Sequence, residues 1–75
     1  MNNPKVIEAF GVHLKRLRLE RQFSQQELAD ISNVARSTIQ RVEGAQIVAT
    51  LDLLYSLSEA LGVTLKELVD FPITE

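Results

Sequence analysis

The stretch Ser24 to Glu43, SQQELADISNVARSTIQRVE, constrains this chain more than any other segment, because it holds two short helical periods joined by a tight turn. Ser24 and Glu27 form an S-x-x-E capping box, which starts a helix at about Gln25 with Leu28 and Ala29 turned inward. That helix should stop near Ser32. Asn33 then stands where the chain turns, and asparagine accepts a left-handed backbone more readily than other non-glycine residues. Val34 plugs the corner, a second helix opens at Ala35 or Arg36 and runs to Glu43, and Gly44 is placed as its stop signal.

At about 100° per residue, Arg36, Ser37, Gln40 and Arg41 share one arc of the second helix, while Thr38, Ile39, Val42 and Glu43 occupy the other. One side packs and the other is free to read. Arg36 and Ser37, at the helix N-terminus, would reach deepest into a DNA major groove, with Arg41 a turn later. A guanidinium can donate two parallel hydrogen bonds to guanine O6 and N7, so these four positions are the expected base contacts. Thr38 borders the packed side, within reach of a phosphate or a thymine methyl.

The remaining segments read as helices too. The first should start just after Pro4 and run to about Arg21, with Val6 or Ile7, Phe10, Leu14 and Leu17 as its buried stripe and His13 off it. A fourth follows Thr50 as N-cap, turns Leu51, Leu54, Leu57, Ser58 and Leu61 inward, and stops at Gly62. Thr64 and Glu67 make a second capping box for a short helix through about Asp70. The expected fold class is all-α with one domain over residues 1–75, loose at 1–4 and 74–75.

The formal net charge of −2 looks unsuited to DNA until its distribution is read. Residues 1–41 carry about +3 and residues 42–75 about −5, so the basic end would face phosphate and the acidic end turn away. Lys15, Arg16 and Arg21, taken singly, read as the solvated face of the first helix, although Lys15 or Arg16 is within range of a DNA backbone; helical phase alone does not choose between those two. With no cysteine the chain has neither disulfide nor thiolate metal site, which suits a reducing cytoplasm. No apolar run approaches the roughly 20 residues of a membrane-crossing helix. A single histidine, no cysteine and no glycine-rich phosphate loop argue against an enzyme, a metal site or a cofactor.

From about Phe10 to Phe71 the sequence resembles the phage repressor and Cro type of helix-turn-helix domain, the XRE family. The likeness rests on Leu14, Leu17 and Arg18, on the FSQQELA of Phe23 to Ala29, on the NVARSTIQRVE of Asn33 to Glu43, and on the TLDLLYSLSEALGVTLKELVDF of Thr50 to Phe71, in register without a gap. The resemblance implies a compact five-helix lambda-repressor-like bundle and a cytoplasmic transcription regulator, a repressor rather than an activator, that binds a palindromic double-stranded DNA operator as a homodimer. It further implies a largely buried ion pair between Arg18 and Glu43, and a Gln25 that touches a DNA phosphate while bracing the recognition helix. The sequence departs from the family pattern at Gln46, Ile47, Val48 and Ala49, where relatives often carry basic or polar residues and a proline. This apolar loop either packs under the fourth helix or offers a surface to a second subunit. Ala45 stands where a glycine is usual, so Gly44 is expected to shift the turn by one residue.

Leu65, Val69, Phe71 and Ile73 have little chain left to cover them and are the expected dimer surface, with Ile47 and Val48 a second patch. The opposing reading folds Phe71 and Ile73 back over the first helix. A second functional class fits the acidic total: an antitoxin-like or complex-assembly module whose partner is another protein.

Overall fold

The computed structural model describes residues 3–73, and among these it contains five helices and no strand. They are α1 (Pro4–Glu20), α2 (Gln25–Ser32), α3 (Arg36–Glu43), α4 (Leu51–Leu61) and α5 (Leu65–Leu68). The fold is the all-α five-helix lambda-repressor-like arrangement.

Most boundaries follow from hydrogen bonds that the capping residues make. The Ser24 hydroxyl accepts from the Glu27 amide at 3.0 Å while the Glu27 carboxylate accepts from the Ser24 amide at 2.9 Å, so α2 opens with its capping box closed. Thr64 and Glu67 repeat the device at α5, and the Thr50 hydroxyl accepts from the Leu53 amide at α4. Asn33 ends α2 in the left-handed conformation at φ 57°, and Gly62 ends α4 at φ 70°. Asn3 and Pro4, placed in the expected loose arm, instead belong to the start of α1: the Asn3 carbonyl accepts from Val6 and Ile7, and Pro4 occupies the first helical position, where its missing N–H costs nothing. Residues 1–2 and 74–75 of the expected loose ends lie outside the described residues.

Helix α3 ends at Glu43 with Gly44 as its cap, as expected, but the turn does not shift onto Gly44. Gly44 keeps φ −87° and still donates to the Gln40 carbonyl, so the left-handed step falls one residue later, on Ala45 at φ 57°. The Gln46 amide then donates to the Arg41 carbonyl at 2.8 Å and the Ala45 amide to the Val42 carbonyl, a Schellman closure built on an alanine.

The core joins Phe10 and Leu14 of α1, Leu28 and Ala29 of α2, Ile39 and Val42 of α3, Leu57 and Leu61 of α4, and Leu68 of α5. Helix α3 is packed against both α1 and α2, α2 also meets α4, and α5 closes on α4. Ile7 rather than Val6 continues the α1 stripe, since Val6 is exposed. Leu51 does not turn inward but is 70% exposed. It lies about 120° around the helix from Leu57, in the first turn, and Leu53 on the opposite flank takes its place against the core. Ile47 and Ala49 pack on the core beside α4, as the first of the two expected roles requires, while Val48 stays exposed.

Candidate nucleic-acid interface

Helix α3 is amphipathic along the boundary its sequence sets. Ile39 and Val42 are buried and Thr38 and Glu43 half-buried, while Arg36, Ser37, Gln40 and Arg41 are all exposed. Gln40 and Ser37 fall at the middle of this outward arc and the two arginines at its flanks, about 140° apart. Arg36 and Arg41 make neither hydrogen bond nor ion pair to another side chain among the described residues, so their donor forks face solvent.

A bidentate ion pair fixes the far end of the helix. Arg18 Nε donates to Glu43 Oε2 at 2.7 Å and Nη2 to Oε1 at 3.0 Å, with both side chains under a tenth exposed. The third contact, Arg18 Nη1 to the Phe23 carbonyl at 2.7 Å, ties the same guanidinium to the link between α1 and α2. Gln25 Nε2 donates to Glu43 Oε1 at 3.2 Å, which connects the first residue of α2 to the last of α3. Among the described residues no buried side-chain polar atom lacks a partner, so the desolvation of these charges is answered by good geometry. The network holds α1, α2 and α3 in one register, and Gln25 stands at the joint.

Gly11 completes that joint from below. A Cβ on it would lie 2.7 Å from the Val42 carbonyl oxygen and 2.9 Å from that of Glu43, so α1 approaches the end of α3 more closely than any side chain permits. Sequence reading passed over this residue, although a glycine inside a helix, costing roughly 0.5–1 kcal/mol against alanine, is itself a signal of close approach.

The basic residues of α1 separate. Lys15 is exposed and stands about 40° from Gly11 around α1, on the side turned to α3. Arg16 points the other way, with Nη2 at 2.6 Å from Nδ1 of His13. Arg21 is not a solvated residue: half-buried, it donates to the Leu61 carbonyl at the end of α4 and, at 3.2 Å, to the Leu17 carbonyl. His13 needs correction as well, for it is 5% exposed rather than off the buried face. The segment after α5 covers it, and helical phase in α1 carries no information about where that segment goes. The same segment corrects the expectation that Phe71 stands open: its ring packs 5.7 Å from Phe10 and 5.4 Å from His13. Leu65 and Ile47 are likewise half-buried against the core, whereas Val69, Ile73 and Val48 are exposed.

Among the described residues there is no cluster of three or more metal-ligating side chains, and no helix is long and apolar enough to cross a membrane.

Two helices joined at a left-handed Asn33, with the second presenting a polar and basic arc, define a helix-turn-helix domain. The family model for helix-turn-helix matches residues 14–68, and the chain belongs to that family, the Cro/C1-type or XRE domains of DNA-binding transcription regulators. These are transcription factors rather than enzymes. Among solved structures the chain is similar to the restriction-modification controller protein C.AhdI from Aeromonas hydrophila, with 34% identity over 83% of this chain and 94% of that one and a TM-score of 0.81. It is similar to the clp gene regulator ClgR from Corynebacterium glutamicum at 26% identity, covering 85% of this chain and 68% of that one, with a TM-score of 0.79. The controller protein C.Esp1396I gives 25% identity, 85% and 86% coverage, and a TM-score of 0.77. No curated protein sequence gives a significant match.

Proposed function

We propose that this protein is a cytoplasmic transcriptional repressor that binds a palindromic operator as a homodimer, with one α3 helix in each of two major-groove segments. The observation that carries the reading is the division of α3 itself, in which Arg36, Ser37, Gln40 and Arg41 are free while Ile39, Val42 and Glu43 anchor the helix. In this reading the four free residues meet base edges, with arginine on guanine and glutamine on adenine. Gln25, Thr38 and Lys15 meet the phosphate backbone. Arg16 joins them only when it leaves His13. The likeness to controller proteins and to a gene regulator supports a regulatory role.

Dimerisation matters because one recognition helix reads only a few base pairs, whereas a two-fold pair places two of them about 34 Å apart on one face of the duplex. Exposed Val69 and Ile73, with Leu65 and Phe71 as the layer beneath, supply the apolar patch for a second copy. Exposed Val48 offers a smaller one.

Selection of bound sequences from random duplexes tests this function, followed by sedimentation of the complex. An enriched palindrome bound by two chains is expected. Failure to enrich any sequence would overturn it in favour of a protein-interaction module, for which the acidic C-terminal half would supply the surface.

A further inference from the structure

His13 is a buried titratable group that DNA reading does not use. Its ring lies between α1 and the segment after α5, 5.4 Å from Phe71 by centroid and tilted by 32°, with Nε2 at 3.5 Å from the Glu67 carbonyl oxygen. Nδ1 faces Nη2 of Arg16 at 2.6 Å. A guanidinium has donors and no acceptor, so this contact exists only while Nδ1 is bare. The neutral ring must then carry its proton on Nε2, where it faces the Glu67 carbonyl. A second proton on the ring would set donor against donor, and cation against cation, at hydrogen-bond distance.

We propose that His13 is a proton-operated catch for Arg16: the neutral ring holds the guanidinium at Nδ1, and protonation releases it. The charged groups around the ring make Arg16 the partner that moves. From α1 itself, Lys5 and Glu8 line the hollow beside it together with Arg16. From α5 the ring meets a backbone carbonyl, because the Glu67 carboxylate is turned back onto the Thr64 amide. The terminal segment contributes Phe71 and Pro72, both uncharged. The buried ring is wedged against Phe71, whereas Arg16 is exposed and free to swing. Glu20, one helical turn along and 3.9 Å from Arg21 Nη1, is the carboxylate within its reach. Acid therefore adds a charge at His13 and frees a second cation on α1 in the same step, which gives the basic half of the molecule a response to pH.

Nitrogen-15 spectra of the full chain without DNA test the catch independently of any DNA-binding role. With the ring neutral the long-range imidazole correlations should show a bare Nδ1 and a protonated Nε2, and the Arg16 guanidinium protons should exchange more slowly than those of free arginine at the same pH. On acidification that protection should vanish in step with protonation of the ring. In His13→Phe, which keeps an aromatic ring against Phe71, Arg16 should exchange at the free-arginine rate at every pH. In Arg16→Ala, which leaves the buried ring facing the Glu67 carbonyl, Nε2 should keep its proton while the Nδ1 resonance shifts on losing its donor. An Nδ1–H tautomer in the neutral wild type, Arg16 exchange indifferent to ring protonation, or an Nδ1 resonance unmoved in Arg16→Ala would overturn the proposal.

Discussion

Gly11 of α1 lies so close to Val42 of α3 that a single added methyl group would stand 2.7 Å from the Val42 carbonyl oxygen. The contact sets the height of the recognition helix above α1, because the obstructing atoms are backbone and cannot rotate away. Gly11→Ala should therefore destabilise the domain despite alanine's better helix propensity, by about 1–3 kcal/mol, the usual cost of overpacking. Thermal unfolding should show a midpoint lower by roughly 4–8 °C for each kcal/mol lost in a domain of this size. An unchanged or raised midpoint would mean that the helices separate without cost.

Arg18 and Glu43 should behave as a buried pair rather than a surface one. Arg18→Met or Glu43→Leu alone leaves a desolvated charge and is expected to cost about 3–5 kcal/mol, with the double variant recovering part of it. A double-mutant cycle in urea should give a coupling above the roughly 0–1 kcal/mol of exposed pairs. Small additive losses would contradict the geometry.

Ala45 occupies a conformation that favours glycine, at φ 57°. Left-handed backbone costs an L-residue about 1–2 kcal/mol, and glycine returns about 0.4–1 kcal/mol of that through the freedom it gives the unfolded chain. Ala45→Gly should still raise the unfolding midpoint slightly. Gly62→Ala, at φ 70° with open space around its Cα, should lower it through backbone strain alone. Opposite signs for this matched pair in the same melting assay are the expected result.

Glu67 is the acidic group whose surroundings move its titration. The Thr64 backbone N–H donates to its carboxylate, the Thr64 side chain adds to this, and together they hold its pKa below the ordinary 4.5. A carboxyl with a lowered folded pKa contributes stability above its unfolded pKa and loses that contribution as pH falls through the folded value. The α5 cap should thus weaken only below the usual glutamate range. Carbon-13 titration of the Glu67 carboxyl should show a low midpoint, and Thr64→Ala should raise it.

The secondary structure was legible in the sequence because its ends are written in local chemistry: Ser24 with Glu27, Thr50, Thr64 with Glu67, Asn33 and Gly62 each act within a few residues. The outward arc of α3 was legible for the same reason, being a matter of phase along eight residues. What escaped depends on distant parts of the chain. His13 is buried by a ring that comes from Phe71, and Arg21 is held by the Leu61 carbonyl at the end of α4. Gly11 is explained by carbonyls of Val42 and Glu43, and the left-handed step passed to Ala45 because Gly44 still bonds to Gln40. Neither helical periodicity nor propensity reports such meetings.

The free arc of α3 is most directly tested by titrating the enriched duplex and a random duplex, at one fixed salt concentration, with wild type, Arg36→Ala, Arg41→Ala and Gln25→Ala. Each arginine variant should lose about 1–3 kcal/mol on the enriched site, with relaxed preference at particular base pairs and little change on the random duplex. Gln25→Ala should weaken both duplexes alike, as expected for a phosphate contact. Equal losses on the two duplexes for both arginine variants would contradict base reading by α3.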